Sequence, residues 1–432
     1  MTRFKVFQRY VGGAILALML LAGFTPAVSQ TQPTPAQAQF QAYGNLMTQA
    51  ALAIQQQNWP VAVAAAKAAF STANNDIQRL DAARLVASAH FRARQFSRAE
   101  WWLRLALNNA SEGAAAQAVH QDFALVRQEN PLSVQLNFSA APNNNVNNGS
   151  SSESITIWNL PFILSPDALA LSGYEVSGSV ELRYRLAQSA NFATDIGLLL
   201  HARTYELSAA AARAAPGING SDYAFSVVEL LLSHSRNYQN MTGPTTFSAN
   251  LGQNWYGGNP YTKYARVTVA QDFRISPTTG LNLTVGTEHQ VSLLGSQSQS
   301  DIHSISTGLN HQLANRNRIG GSFRWQTTNS QDASAENDAV RIGVNYGLAK
   351  PVAGMMLSFN VAAEKRDYGF SIYDIAGRHD VTLSAGATAL FSNISYLGFS
   401  PTVSLEANQT KSNVSLFNRE TIALRFGLQS VF

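Results

Sequence analysis

From Pro131 to Phe432, apolar and polar residues alternate one by one in stretch after stretch. A strand puts successive side chains on opposite faces, so each stretch has one apolar and one polar face. Val134, Leu136, Phe138 and Ala140 alternate with Ser133, Gln135, Asn137 and Ser139. Between Gly173 and Leu186, Val176, Val180, Leu182 and Tyr184 share one face. Ser177, Ser179, Glu181, Arg183 and Arg185 share the other. The last stretch, TIALRFGLQSVF, sets Ile422, Leu424, Phe426 and Leu428 against Thr421, Ala423, Arg425, Gly427 and Gln429, and ends on Phe432. About fourteen such strands fit, at roughly twenty-two residues per strand with its connection.

Connections of two lengths separate these strands. Gln188–Asn191, Pro277–Gly280 and Ala314–Arg316 are short; Ala209–Ser221, Gly295–Ser300 and Asn329–Asp338 are longer and polar. Alternating lengths predict two different sides of a membrane. In hydrocarbon every backbone amide needs a partner, and only a closed barrel leaves no strand edge. The expected fold is therefore a transmembrane antiparallel β-barrel of about fourteen strands over residues 131–432. Its apolar faces meet lipid. Glu181, Arg183, Arg185, Arg203, Arg318, Arg324, Arg341 and Arg425 face a hydrated lumen. Phe432 is the candidate signal to the barrel-assembly machinery, and outer-membrane lipid is the surrounding partner.

Before Pro131 the period is helical. Residues 41–130 are rich in Ala, Gln and Leu. Asn58–Phe70 and Gln95–Leu107 resemble each other at an offset that aligns Ala62 with Ala99, Ala66 with Leu103 and Ala69 with Ala106. That offset is close to the tetratricopeptide period, and predicts an all-α, tetratricopeptide-like domain capped by a helix over Ala114–Glu129. Small residues at Ala50, Ala53 and Ala87, with His90, would let paired helices approach. Residues 1–29 read as a secretory signal peptide: a basic start, an apolar core over Val11–Phe24, and Ala27-Val28-Ser29 for cleavage. Ala36-Gln37-Ala38 is a second cleavage candidate. Residues 30–40 read as a loose linker.

Composition sharpens this reading. Charged residues make up only 13% of the chain, against about a quarter in ordinary soluble proteins. Low charge without long apolar runs suits strands diluted by alternation. The absence of cysteine excludes disulfides, thiolate metal sites and a lipidated N-terminal cysteine. The net charge of +4 includes Arg3, Lys5 and Arg9; without them it is +1, which gives no footprint for nucleic acid. No phosphate-binding glycine loop or zinc spacing is present, so no cofactor is expected. The histidines, His289, His303, His311 and His379 among them, show neither metal spacing nor a hydrolase motif, so the chain does not read as an enzyme.

The most unusual polar run is APNNNVNNGS, Ala141–Ser150, with Asn143, Asn144, Asn145, Asn147 and Asn148 directly after the first strand. A turn needs two or three such residues. A helical tetratricopeptide-like domain, a first strand running into this asparagine cluster, and a barrel to the end resemble the surface lipoprotein assembly modifiers (Slam), the outer-membrane translocators of the type XI secretion system. LNFSAAPNNNVNNGS (Leu136–Ser150) is similar to that family's junction, which carries Asp where Asn143 stands. The resemblance implies a translocator for a surface lipoprotein or secreted client protein. The client, or its periplasmic chaperone, would be received by a periplasmic helical domain and passed through the barrel. A passive porin-like channel or structural barrel is the competing expectation.

Overall fold

The computed structural model describes residues 34–110, 113–157, 160–295, 298–394 and 396–430. The signal-peptide segment, Trp158 and Phe432 lie outside them.

Among the described residues five helices come first: α1 (Pro35–Gln55), α2 (Trp59–Thr72), α3 (Asp76–Arg92), α4 (Phe96–Asn108) and α5 (Ala114–Glu129). The expected linker over residues 30–40 is corrected from Pro35 onward, where α1 begins; residues 30–33 lie outside the described residues. Thr34 and Gln37 form a reciprocal capping box at that end, and Pro35 occupies the first helical position, where its missing N–H costs nothing. The Ala36-Gln37-Ala38 candidate therefore lies in a helix.

The repeat aligned in sequence is a repeat in space. Ala62, Ala66, Ala69, Ala99, Leu103 and Ala106 are all buried, as are Ala50, Ala53, Ala87 and His90. Gln57 and Arg94 hold matching left-handed backbones at the turns between paired helices. The two turns are closed by equivalent bonds, Asn58 N–H to Ala53 O and Gln95 N–H to His90 O, both 2.9 Å. Small side chains at the crossing let the helices pack closely, and Leu80, Leu103, Val119 and Phe123 fill the core.

Fourteen strands close the barrel: β1 (Leu132–Asn143), β4 (Gly173–Gln188), β5 (Phe192–Leu207), β6 (Phe225–Arg236), β7 (Thr245–Tyr256), β8 (Asn259–Ser276), β9 (Thr279–Ser292), β10 (Gln299–Gln312), β11 (Arg318–Ser330), β12 (Asn337–Gly347), β13 (Met355–Tyr368), β14 (Arg378–Phe391), β15 (Phe399–Ser412) and β16 (Arg419–Ser430). Each pairs antiparallel with its sequence neighbour in the barrel, and β1 meets β16. A small hairpin, β2 (Ser154–Ile157) and β3 (Leu160–Ile163), stands apart in the first loop. The apolar rows face outward: Val176, Leu186, Leu251, Val344 and Leu405 are all about half exposed or more, as a lipid-facing wall requires.

The helical domain sits at the rim where β1 begins. The six connections read from the sequence segregate as expected, the short ones at the near rim and the longer ones at the far rim, but the remaining connections do not keep to that rule. The far rim carries the longest connections, 144–172 and 208–224, but also a two-residue one, Gly257-Gly258, as short as Pro277-Thr278 on the near rim. The near rim carries 237–244, 348–354 and 392–398, as long as most on the far side. Gly257 and Gly258 both adopt positive φ, the backbone of a two-residue hairpin whose twist matches its strands. The stretch Ala209–Ser221 is also more ordered than a polar loop. Ser208 caps a short helix, α6 (Ala209–Ala214), whose Ala211 packs with Ala215 against Val146 and Leu171.

Candidate functional site: the junction of first and last strands

The asparagine cluster stands at the far end of β1, where β1 meets β16. Four of the five asparagines bond through their side chains there, and the fifth shapes the turn. Asn143 Oδ1 accepts the Asn145 N–H at 2.8 Å, and its amide reaches Glu175 at 3.5 Å. Asn144 Oδ1 accepts the Ile422 N–H on β16 at 2.7 Å. Asn145 is buried; it accepts the Gly149 N–H at 2.7 Å and donates to the Gly149 and Glu420 carbonyls. Asn147 accepts from Leu171 N–H at 2.8 Å and donates to Leu169 O at 2.7 Å. Asn148 supplies a left-handed turn, which its residue type tolerates. The cluster ties the end of β1 to β16 and folds the first loop back on itself. Ser150 extends the tie, its hydroxyl donating to Ser415 O at 3.0 Å.

On the inner face of the same junction lies Arg425. Its guanidinium reaches Glu175 on β4 at 2.6 Å, Glu406 on β15 at 3.3 Å and the Ser139 hydroxyl on β1 at 3.1 Å. One side chain thus touches three strands besides its own. Glu175 is almost fully buried. A buried carboxylate is tolerable only when paired and hydrogen-bonded, and here the partners are Arg425 and Asn143.

The other sequence-stretch candidates line the same inner wall without converging on one point. Arg183 pairs with Glu181 at 3.0 Å, Arg185 with the buried Asp195, and Arg341 with Glu364 at 3.6 Å. Arg324 donates to Gln326 at 2.9 Å. Arg203 lies 5.6 Å from the Tyr205 ring. Arg318 shares the inner face with Asn345 near the near-rim mouth. Sequence reasoning missed Glu175, Glu229, Glu364 and Tyr264. Tyr264 donates to Glu229 at 2.5 Å over Gly252, and Arg266 joins Glu229 and Glu288. The alternation carried the signal for all four, since each falls on a polar face.

The helical domain is fastened beside this junction. Arg104 on α4 donates to Leu397 O at 3.3 Å, and Asn108 Oδ1 accepts the Leu397 N–H at 2.8 Å. Arg104 also lies over the Phe123 and Phe399 rings. Arg127 on α5 donates to Leu132 O at 3.2 Å and contacts Ser133 at the start of β1. Within the domain, Arg84 pairs with Asp122 at 2.8 Å. Tyr43 donates to Gln78 O, and burial, with the nearby charge of Asp81, pushes its hydroxyl up to about 12. Burial also raises the carboxyls of Asp81 and Asp122.

Among the described residues, no group of three His, Asp or Glu side chains could hold a metal ion. The ring nitrogens of His289 and His379 meet Asp301 and Asp367, and those of His303 and His311 meet threonines. All four project from the outer face, and none of these bonds goes to a serine.

Several solved outer-membrane barrels are similar to this chain at low TM-scores. A loop-deletion mutant of OmpT from Vibrio cholerae is 8% identical, covers 70% of this chain and 99% of its own, and superposes at a TM-score of 0.36. A BenF-like porin from Pseudomonas fluorescens is 6% identical, with 69% and 99% covered and a TM-score of 0.37. An anion-selective porin from Comamonas acidovorans is 11% identical, with 70% and 100% covered and a TM-score of 0.36. No curated protein matches the chain. Residues 133–427, the barrel with its asparagine junction, match the family described as surface lipoprotein assembly modifier, and the chain belongs to that family.

Proposed function

We propose that this outer-membrane barrel exports a surface lipoprotein or a related secreted protein. The client is received by the helical domain on the periplasmic side and passed through the barrel. The carrying observation is the docking of the helical domain at one mouth through Arg104, Asn108 and Arg127. A diffusion pore needs no such domain. Paired helices with a charged, partly exposed face at Tyr43, Asp81, Arg84 and Asp122 suit capture of an extended polypeptide or its chaperone. The role is transport without catalysis. The periplasm holds no ATP, so folding of the client outside would draw it across.

The test compares surface-exposed lipoproteins, labelled on intact cells, with the chain present, absent, or lacking residues 41–130. Export predicts that at least one lipoprotein leaves the surface in both altered strains, while the shortened barrel still shows heat-modifiable mobility in outer-membrane fractions. A conductance in planar bilayers with an unchanged set of surface proteins would favour a passive channel and refute export.

A further inference from the structure

β1 and β16 are fully paired on one side and only partly paired on the other. β1 pairs β4 without a break from Leu132↔Tyr184 to Asn143↔Gly173, and β16 pairs β15 from Phe399↔Ser430 to Thr410↔Arg419. Against each other they match from Asn137↔Gln429 to Ala140↔Phe426, lapse, and match again at Asn143↔Ala423. Pro142, which has no N–H to give, falls in the lapse. Residues 132–136 of β1 find no β16 partner among the described residues. Side chains reinforce what backbone pairing there is: Asn144 Oδ1 accepts the Ile422 N–H beside the backbone bond from Asn144 N–H to Ile422 O at 3.4 Å, and Arg425 reaches Ser139 and Glu175 from inside.

A lipidated client poses a physical problem that this seam answers. Its polypeptide needs the hydrated lumen, since unpaired amides are costly in hydrocarbon. Its acyl chains need hydrocarbon, since the lumen is lined by Arg183, Glu181, Arg266, Glu288 and Arg341. A client with its chain in the lumen and its anchor in the bilayer must be threaded through the wall. The wall must then part along one strand pair, and among the described residues β1–β16 has the shortest matched register in the barrel, so it parts most readily. The helical domain stands astride the foot of that pair. Arg127 holds the start of β1, and Arg104 and Asn108 hold Leu397 just before β15, so β16 ends between the two attachments.

We propose that the β1–β16 seam is the lateral passage for the acyl anchor of a lipidated client, with Arg425 as the latch that holds it shut. This rests on the export reading. Two measurements test it apart from that reading. The chain has no cysteine, so an N137C/Q429C pair places two thiols across the seam and a T284C/S306C pair places two across β9 and β10 as a control. Spin labels on each pair, in the full chain in lipid vesicles, should give a broad or two-peaked distance distribution at the seam, widened further by Arg425→Gln, and a narrow one at the control. Equally narrow distributions overturn a seam that opens, whatever the chain exports. In cells, the probe is the palmitate-labelled lipoprotein that leaves the surface when the chain is absent, beside its variant with the lipidated cysteine replaced. Oxidising the seam pair should cut surface arrival of the lipidated form at least tenfold, reversibly with reductant, and leave the unlipidated form and the control pair unaffected. Undiminished arrival of the lipidated form, or equal loss of both forms, overturns the assignment of the seam to the anchor. A chain that exports neither form even when unmodified overturns the export reading and this inference with it.

Discussion

Arg425→Gln is the most informative perturbation of the barrel's stability. The substitution removes two ion pairs of unlike worth. Glu406 is 42% exposed in its side chain, so losing its pair costs less than about 1 kcal/mol. Glu175 is 4% exposed. Without the guanidinium it keeps only the long contact to the Asn143 amide, and an uncompensated buried charge costs about 3–5 kcal/mol. Arg425 itself is 23% exposed and borders a lumen that water can enter, which places the expected loss near the lower figure, about 3 kcal/mol. Glu175→Gln in the same background removes the stranded charge and should recover about 2 kcal/mol of that loss. The assay is reversible guanidinium unfolding of the purified chain in lipid vesicles, followed by tryptophan fluorescence and by heat-modifiable mobility. If Arg425→Gln, Glu175→Gln and the double substitution add within about 0.5 kcal/mol, the two side chains do not depend on each other and the reasoning is refuted.

Other outcomes follow from single features. Asn144→Ala removes the acceptor for the Ile422 N–H and should cost about 1–3 kcal/mol, read in the same unfolding assay; a neutral result would mean water replaces it. Arg104→Ala with Asn108→Ala should release the helical domain from the near rim, making it sensitive to limited proteolysis while the barrel stays resistant. Gly257→Ala should destabilise the two-residue turn by more than the roughly 1 kcal/mol of a left-handed alanine, because an added Cβ would lie 2.8 Å from Asp222 O; hydrogen exchange of the β7–β8 ladder would report it. His90 is buried, and burial holds its imidazole below the usual range despite the Gln95 hydrogen bond, with Lys67 and Arg98 adding to the depression. The unfolded chain then binds the proton first, so the helical domain should lose stability as pH falls through about 6.5 and stop losing it below the folded value. His90→Gln should flatten that slope in thermal melts of the full chain.

The wall of the barrel was legible because its rule is local. Ile422, Leu424 and Phe426 alternate with Ala423 and Arg425, and a one-residue slip would turn every side chain to the wrong face. The helical repeat was legible for a similar reason: close packing demands small side chains at fixed spacing, and the aligned alanines are the buried ones. The start of α1 was legible in principle, since Thr34-Pro35-Ala36-Gln37 is a capping-box sequence, but proline and glutamine read as linker. Loop lengths were legible only in part: the six connections singled out fall on the expected rims, but Gly257-Gly258 turns the chain in two residues at the far rim. The work of the asparagines was hidden for another reason. Asn144 bonds a residue 278 positions away, and no local spacing shows which strand closes on the first.

That distance has a kinetic consequence. Most strand pairs of the barrel are neighbours in the chain, joined by short connections. At the seam, by contrast, Ser139 and Arg425 are 286 positions apart. Loop-closure entropy then makes the seam about 3 kcal/mol harder to form than a hairpin closing about 12 residues. It should therefore be the last contact made, leaving an open sheet with two bare edges until then. The helical domain precedes β1, yet binds Leu397 beside the last two strands. Once that contact forms, the span left to close is only the short stretch from Leu397 to the end of β16. The domain is thus a tether for circularising the sheet, and releasing it should slow the appearance of heat-modifiable barrel without changing the final yield.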